Sequence, residues 1–246
     1  GASSQILLSL LNSSTTNHLM AALAPTIMFE IGQLSELPLL DNNYVIDIHA
    51  SSGTTARRLI HMFRDDWNAY ETSWTFERSP LVKRARLGGT LEDALEQWWQ
   101  DSLNAACEAQ KLETENNRYW AEVYDLQTEE PIEVPLSRIS LTSNPYFRYA
   151  PNKGAARTEE EYRRLFTTDA IRDLISYGVG CLFGRYSLDT PGLVLADQGD
   201  SIQDFLDVVP RPTFEPDEDG VIPITSGEWF ADDIVPRFRS FLAVAF

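Results

Sequence analysis

Apolar positions along this chain recur mostly three and four residues apart, the spacing that gathers them on one face of an α-helix. Residues 5–24 read as one or two short helices broken at Asn12-Ser13-Ser14. Ala24-Pro25 ends the second, because a residue before proline avoids the helical region. Ala56, Ile60, Phe63 and Trp67 fall on one face of a helix over 54–70. Thr90-Leu91-Glu92-Asp93 has the form of a capping box. From it a long helical pattern runs to about Leu126, with Leu91, Leu95, Trp98, Trp99, Leu103 and Cys107 on its first face. Its middle, Glu108 to Asn117, is almost wholly polar: either the helix crosses solvent there, or a turn folds it into a hairpin. Thr158-Glu159-Glu160-Glu161 opens a second capped helix, or helix pair, reaching about Gly184. A last helix starts near Asp232 or Asp233 and tolerates Pro236 in its first turn.

Strand signals are few. Ile27 to Ile31 and Ser137 to Leu141 are short strand candidates. Thr72 to Gly89 reads as irregular and basic, 128–157 as a proline-rich loop region, and 190–224 as loops around the acidic turn Asp217-Glu218-Asp219-Gly220. The predicted class is mainly α with a few short β-strands, a helical bundle or hairpin-like spacer.

Composition narrows the function. With 43% hydrophobic residues and six Trp among 246 residues, the chain has material for a real core. The formal charge of −17 excludes nucleic-acid binding by the surface as a whole, since phosphate repels it. Local cations can still touch phosphate. Lys83, Arg84 and Arg86 form one candidate cluster, and Arg148, Lys153 and Arg157 another, both in segments read as irregular. Cys107 and Cys181 lie in apolar helical patterns outside any CxxC, and are expected to be reduced and buried. Gly1 to Gln5 has no basic leader, and the apolar stretch Leu174 to Gly184 is too short to span a bilayer, so a cytoplasmic, membrane-free protein is expected. Gly1-Ala2-Ser3-Ser4 resembles a cloning remnant, and both ends run into apolar patterns. The chain is therefore expected to be a piece of a larger protein.

Three motifs invite a catalytic reading, and none completes one. In Gly178-Val179-Gly180-Cys181-Leu182-Phe183-Gly184 the spacing and helical context are wrong for a dinucleotide turn. Gly180 and Gly184 instead suggest a close helix–helix approach, with Leu174, Val179, Leu182 and Phe183 in the core. Asn144-Pro145-Tyr146-Phe147 approaches the Asn-Pro-Pro-aromatic motif of amino-methyltransferases but lacks its second proline and any upstream glycine-rich donor loop. His18, His49 and His61 are scattered, with no partner at metal-ligand spacing. No catalytic, cofactor or metal residue is assigned.

Longer stretches carry a resemblance. Leu7 to Leu40, LLSLLNSSTTNHLMAALAPTIMFEIGQLSELPLL, looks like the closing segment of a target-recognition domain in restriction–modification proteins. In those proteins an LLNS helix precedes a PT-x-x-F-x-x-G segment ending in Leu-Pro. Leu174 to Leu195, LISYGVGCLFGRYSLDTPGLVL, is very similar to a stretch of the PglX-type adenine-specific DNA methyltransferases of BREX phage-defence systems. DWNAYETSW, Asp66 to Trp74, and the stretch Gly220 to Phe238 resemble the same proteins in the same order. The resemblance implies a parent that methylates adenine N6 in DNA with S-adenosylmethionine. Its partners would be DNA, its own methyltransferase domain and other BREX subunits. The family's donor loop and Asn-Pro-Pro motif lie upstream, so no residue of either carries over. Residues 1–40 would then be the end of a target-recognition-like segment. Residues 41–246 would be a helical spacer or interaction region, with a subdivision near 128–157. A freestanding acidic interaction protein, such as a DNA mimic, is the alternative. Charge favours it, and the clustered cations argue against it.

Overall fold

The computed structural model describes residues 2–23, 31–39, 50–86, 89–128, 131–152, 155, 157–227 and 229–246. The described chain is mainly helical: α1 (Ala2–Leu11), α2 (Ser14–Leu23), α3 (Ile31–Leu34), α4 (Ala50–Asn68), α5 (Pro80–Ala85), α6 (Leu91–Val123), α7 (Pro145–Arg148), α8 (Glu159–Leu182), α9 (Ile202–Val208) and α10 (Ile234–Ala245). No strand occurs among the described residues. The candidate at Ser137 to Leu141 is a 3₁₀ turn, Leu136–Arg138, followed by extended backbone. Ile139 and Leu141, whose alternation imitates a strand, are buried against Ala109 of a helix instead. The candidate at Ile27 lies outside the described residues, and Ile31 begins α3.

The chain sorts into two compact units. The first joins Gly1–Arg64 to Leu103–Arg148. One of its clusters is Ile6, Leu10 and Trp120, another is Met20 with Leu37, and a third is Ala109, Ile139 and Leu141 flanked by Leu59, Met62 and Phe63. Polar groups complete it. Trp120 Nε1 donates to Ser9 Oγ at 3.0 Å and Asn116 Nδ2 to the Ser9 carbonyl at 2.8 Å.

These bonds decide the fate of the polar stretch 108–117. It neither turns nor crosses solvent: α6 is one helix of 33 residues. Leu112, Thr114, Asn116 and Asn117 are buried in it. Asn117 Oδ1 accepts from Ser14 N at 2.9 Å, and its Nδ2 donates to the Ile132 carbonyl at 3.1 Å. Gln110 Nε2 reaches the Val134 carbonyl at 2.7 Å, while Val134 N donates to Thr114 Oγ1 at 3.3 Å. An extended segment has no ladder to satisfy its amides and carbonyls, so the helix supplies them side chains. Cys107, expected to be buried, is exposed on the same helix, because α6 turns its Ala106 and Ala109 inward instead.

The second unit joins Asp65–Ser102 to Tyr149–Phe246 and is built on aromatic packing. Phe166 of α8 meets Trp98 and Trp99 edge-on, at 5.2 and 5.3 Å between ring centroids. Tyr177 stacks on Tyr186 at 5.2 Å, and Phe76 meets both. Three helices of this unit begin with reciprocal caps. Thr90 pairs with Asp93, Thr158 with Glu161 and Ser201 with Asp204. Trp67 does not join the inward face of α4 and is exposed.

The glycines of α8 act differently from the expectation. Gly178, not Gly180, is the close helix contact. A Cβ there would lie 2.5 Å from Phe238 and 2.8 Å from Phe241 of α10. Gly180 instead abuts the Tyr186 ring, 2.5 Å from where its Cβ would sit. Gly184 lies beyond the helix at φ 73°, where glycine is least strained. There it closes the end: Arg185 N bonds the Gly180 carbonyl at 2.8 Å and Gly184 N the Cys181 carbonyl at 3.1 Å. Leu174 and Leu182 are core as expected, but Val179 is half-buried and Phe183 exposed. Tyr177 and Cys181 fill the inward face in their place.

Candidate nucleic-acid interface

Lys83, Arg84 and Arg86 stand on and just after a short helix, not in an irregular loop. Pro80 opens α5 at a position where its missing amide is harmless. Leu81, Val82 and Ala85 are buried, so the intervening basic residues are turned away from the core. Lys83 is exposed. Arg84 is engaged within the unit. Its Nε and Nη2 lie 3.0 and 2.8 Å from Asp101 Oδ2, its Nη1 donates to the Pro80 carbonyl at 3.0 Å, and its guanidinium sits 5.9 Å from the Trp98 ring centre. Arg86 is exposed, with Asp189 at 3.9 Å as a loose counter-ion. Asp189 itself is occupied by Thr213, whose amide donates at 2.7 Å.

The second candidate cluster divides between the units. Arg148 ends α7 and belongs to the first unit, whereas Arg157 belongs to the second. Lys153 lies outside the described residues. Arg157 Nε donates to the Tyr149 carbonyl at 3.0 Å, and Tyr149 Oη donates to Asp169 at 2.9 Å, so this arginine holds the approach to α8.

Asn144 has a structural task. Fully buried, its Nδ2 donates to the carbonyls of Leu136 and Ile139 at 2.8 and 2.7 Å, while its Oδ1 accepts from Tyr146 N at 3.1 Å. All of its donors and its acceptor are spent on backbone, so none faces a base.

Two features were not singled out from the sequence. Arg163, Arg164 and Arg172 line an open groove of about 580 Å³ along α8 with Thr167, Thr168, Ile171 and Glu160. Their spacing, four and eight residues apart for Arg164, Thr168 and Arg172, is the available signal. Acid interleaves them: Arg163 pairs with Glu96, and Arg172 lies 3.4 Å from Asp169. The other is the loop before α10. Buried Asp233 accepts there from Trp229 N at 2.9 Å, Phe230 N at 3.1 Å and Thr225 Oγ1 at 2.8 Å. Burial raises the carboxyl's pKa, but these donors outweigh it and hold the group below its ordinary range.

Comparison with known proteins bears out the resemblance along nearly the whole chain. The chain is 31% identical over 243 residues to the adenine-specific methyltransferase BrxX of Escherichia coli O9:H4 (strain HS), covering 96% of this chain. It is 32% identical over 246 residues to the adenine-specific methyltransferase PglX of Lacticaseibacillus casei (strain Zhang), covering 97%. The chain spans only 18% of the length of each of these relatives. No family model matches it.

Proposed function

We propose, from the premise that the chain corresponds to a fragment of such methyltransferases, that it is a non-catalytic helical region of a longer site-specific adenine-N6 DNA methyltransferase of a BREX anti-phage system. Its role is to support DNA recognition and the assembly of partner subunits. One observation carries this reading: 96–97% of the chain aligns with 18% of two adenine-specific methyltransferases. The longer protein would bind S-adenosylmethionine and DNA in the cytoplasm. This region would pack with its methyltransferase domain and with other subunits of the defence system. No helix of the described residues is long and apolar enough to cross a membrane.

Within this reading, Lys83 and Arg86 are the stronger phosphate ligands of their cluster. Arg84 is the weaker, because Asp101 already holds it. Arg148, Lys153 and Arg157 remain proposed phosphate ligands. The test is DNA binding by the longer protein against salt. Reversing the charge of Lys83 and Arg86 should flatten the slope of log affinity on log salt by about one for each phosphate no longer neutralised. Methylation of adenine by the unaltered protein is required as well. An unchanged slope for this variant, and for one reversed at Arg148, Lys153 and Arg157, leaves the region as scaffold. Absence of methyl transfer from S-adenosylmethionine overturns the reading itself.

A further inference from the structure

Between Arg211 and Arg237 the chain carries seven carboxylates and no basic residue. Within it, residues 221–233 leave four large apolar side chains in solvent: Val221 is 66% exposed, Ile224 81%, Trp229 77% and Phe230 58%. A floppy segment would make this unremarkable, but the loop is tied. Besides the Asp233 bonds, Ile234 N donates to the Pro223 carbonyl at 3.0 Å and Asp233 N to the Phe230 carbonyl at 3.2 Å. Trp229 N meets the Gly227 carbonyl at 2.7 Å, and the indole lies so close that a Cβ on Gly227 would be 2.8 Å from its Nε1. The buried carboxylate of Asp233 thus ties down the backbone that carries an exposed indole and an exposed phenyl ring. Rigid aromatic anchors lose little freedom on docking, and this is what makes them effective at interfaces. Clustered exposed apolar groups mark interaction sites.

We propose that the loop Val221–Asp233 is a docking element, received by an apolar cleft rimmed with Lys or Arg on another segment of the same longer polypeptide. This rests on the reading that the chain is a fragment of a methyltransferase. Two observations choose the occupant. The matched relatives have more than four-fifths of their length outside the region this chain covers. The carboxylates around the loop repel nucleic-acid phosphate and an equally acidic second copy, and they complement a basic rim.

Hydroxyl-radical oxidation read tryptophan by tryptophan tests the proposal. In the 246-residue chain, Trp229 should oxidise as readily as Trp74, which is 98% exposed. In the longer polypeptide its oxidation should fall to that of Trp99 and Trp120, which are buried. Replacing Trp229 and Phe230 together by Ala should leave the Tm of the 246-residue chain unchanged and lower that of the longer polypeptide. Oxidation of Trp229 that stays at the exposed level in the longer polypeptide overturns the proposal. Protection that appears only on adding duplex DNA overturns it too, and assigns the loop to DNA. Adenine methylation measured on the same preparation separates the two failures. Intact methylation with an unprotected Trp229 removes the docking loop alone, and absent methylation removes the fragment reading.

Discussion

Two residues of α8 show what a helix can hide from its own sequence. The glycine run was legible as a close contact, but spacing cannot say from which side the neighbour comes. Phe238 and Phe241 arrive at Gly178, and Tyr186 folds back on Gly180. Replacing Gly178 by Ala should gain about 1 kcal/mol of helix propensity and lose about 1–3 kcal/mol to overpacking against the half-buried Phe238 and the buried Phe241. A lower Tm is expected, and an unchanged or raised one would show that α10 yields freely. Cys181 extends the same lesson. Burial pushes its thiol up to about 12, against smaller opposing effects of a Tyr177 hydrogen bond and the Arg78 charge, and burial also raises the neighbouring Tyr177. Exposed Cys107 should therefore react with a disulfide reagent in the native protein and Cys181 only after unfolding. Between an ordinary thiol value of about 8.5 and the folded value, the unfolded chain has released a proton that the folded one keeps. Stability must then fall as pH rises, by about 1.4 kcal/mol per pH unit for each such group. Urea midpoints that stay level across the alkaline range would contradict this.

At the scale of elements, the ends were easier to read than the middles. Caps are local: a Thr or Ser and an acid three residues later satisfy each other's backbone amides wherever the rest of the chain goes. Both caps read from the sequence, at Thr90 and Thr158, are present, and a third that was not singled out stands at Ser201. The middle of α6 was not legible because its polar residues are buried by partners elsewhere in sequence. A polar run reads as solvated unless the backbone it will satisfy is known. The same cause misled the reading of Ser137 to Leu141, where Asn144 takes two carbonyls out of any ladder. A paired substitution separates buried from solvated positions on α6. Asn117→Ala strands the Ser14 amide and the Ile132 carbonyl and should cost about 1–3 kcal/mol. Lys111→Ala, at an exposed position whose distance to Glu115 is 4.0 Å, should be nearly neutral. Equal Tm shifts for the two would show that the polar run is solvated after all. The candidate phosphate ligands were legible only as charge. Whether a cation is already spent, as Arg84 is on Asp101, depends on a helix that α5 meets in three dimensions.

For the whole molecule, the spacing of apolar positions foresaw a mainly helical chain, and the net charge of −17 has a measurable consequence of its own. Like charges crowded on a compact surface repel, and salt screens that repulsion over about 10 Å at 0.1 M. Exposed ion pairs such as Arg58–Glu108 and Arg163–Glu96 weaken with salt as well, but such pairs contribute only about 0–1 kcal/mol each. The repulsion should dominate, so Tm should rise as salt is raised from a few millimolar to the physiological range. A falling Tm would mean that the pairs outweigh the excess charge.

The bonds from Ser9 to Asn116 and Trp120 span 107 and 111 positions of sequence. A ribosome releases the chain from its amino end, so α1 emerges long before the side chains that complete its cluster. Until Trp120 is made, Ile6 and Leu10 lack the side chain that completes their cluster, and the nascent segment must be kept from sticking to others. The first unit, although it opens the chain, is completed only after residues 65–102 of the other unit have been made.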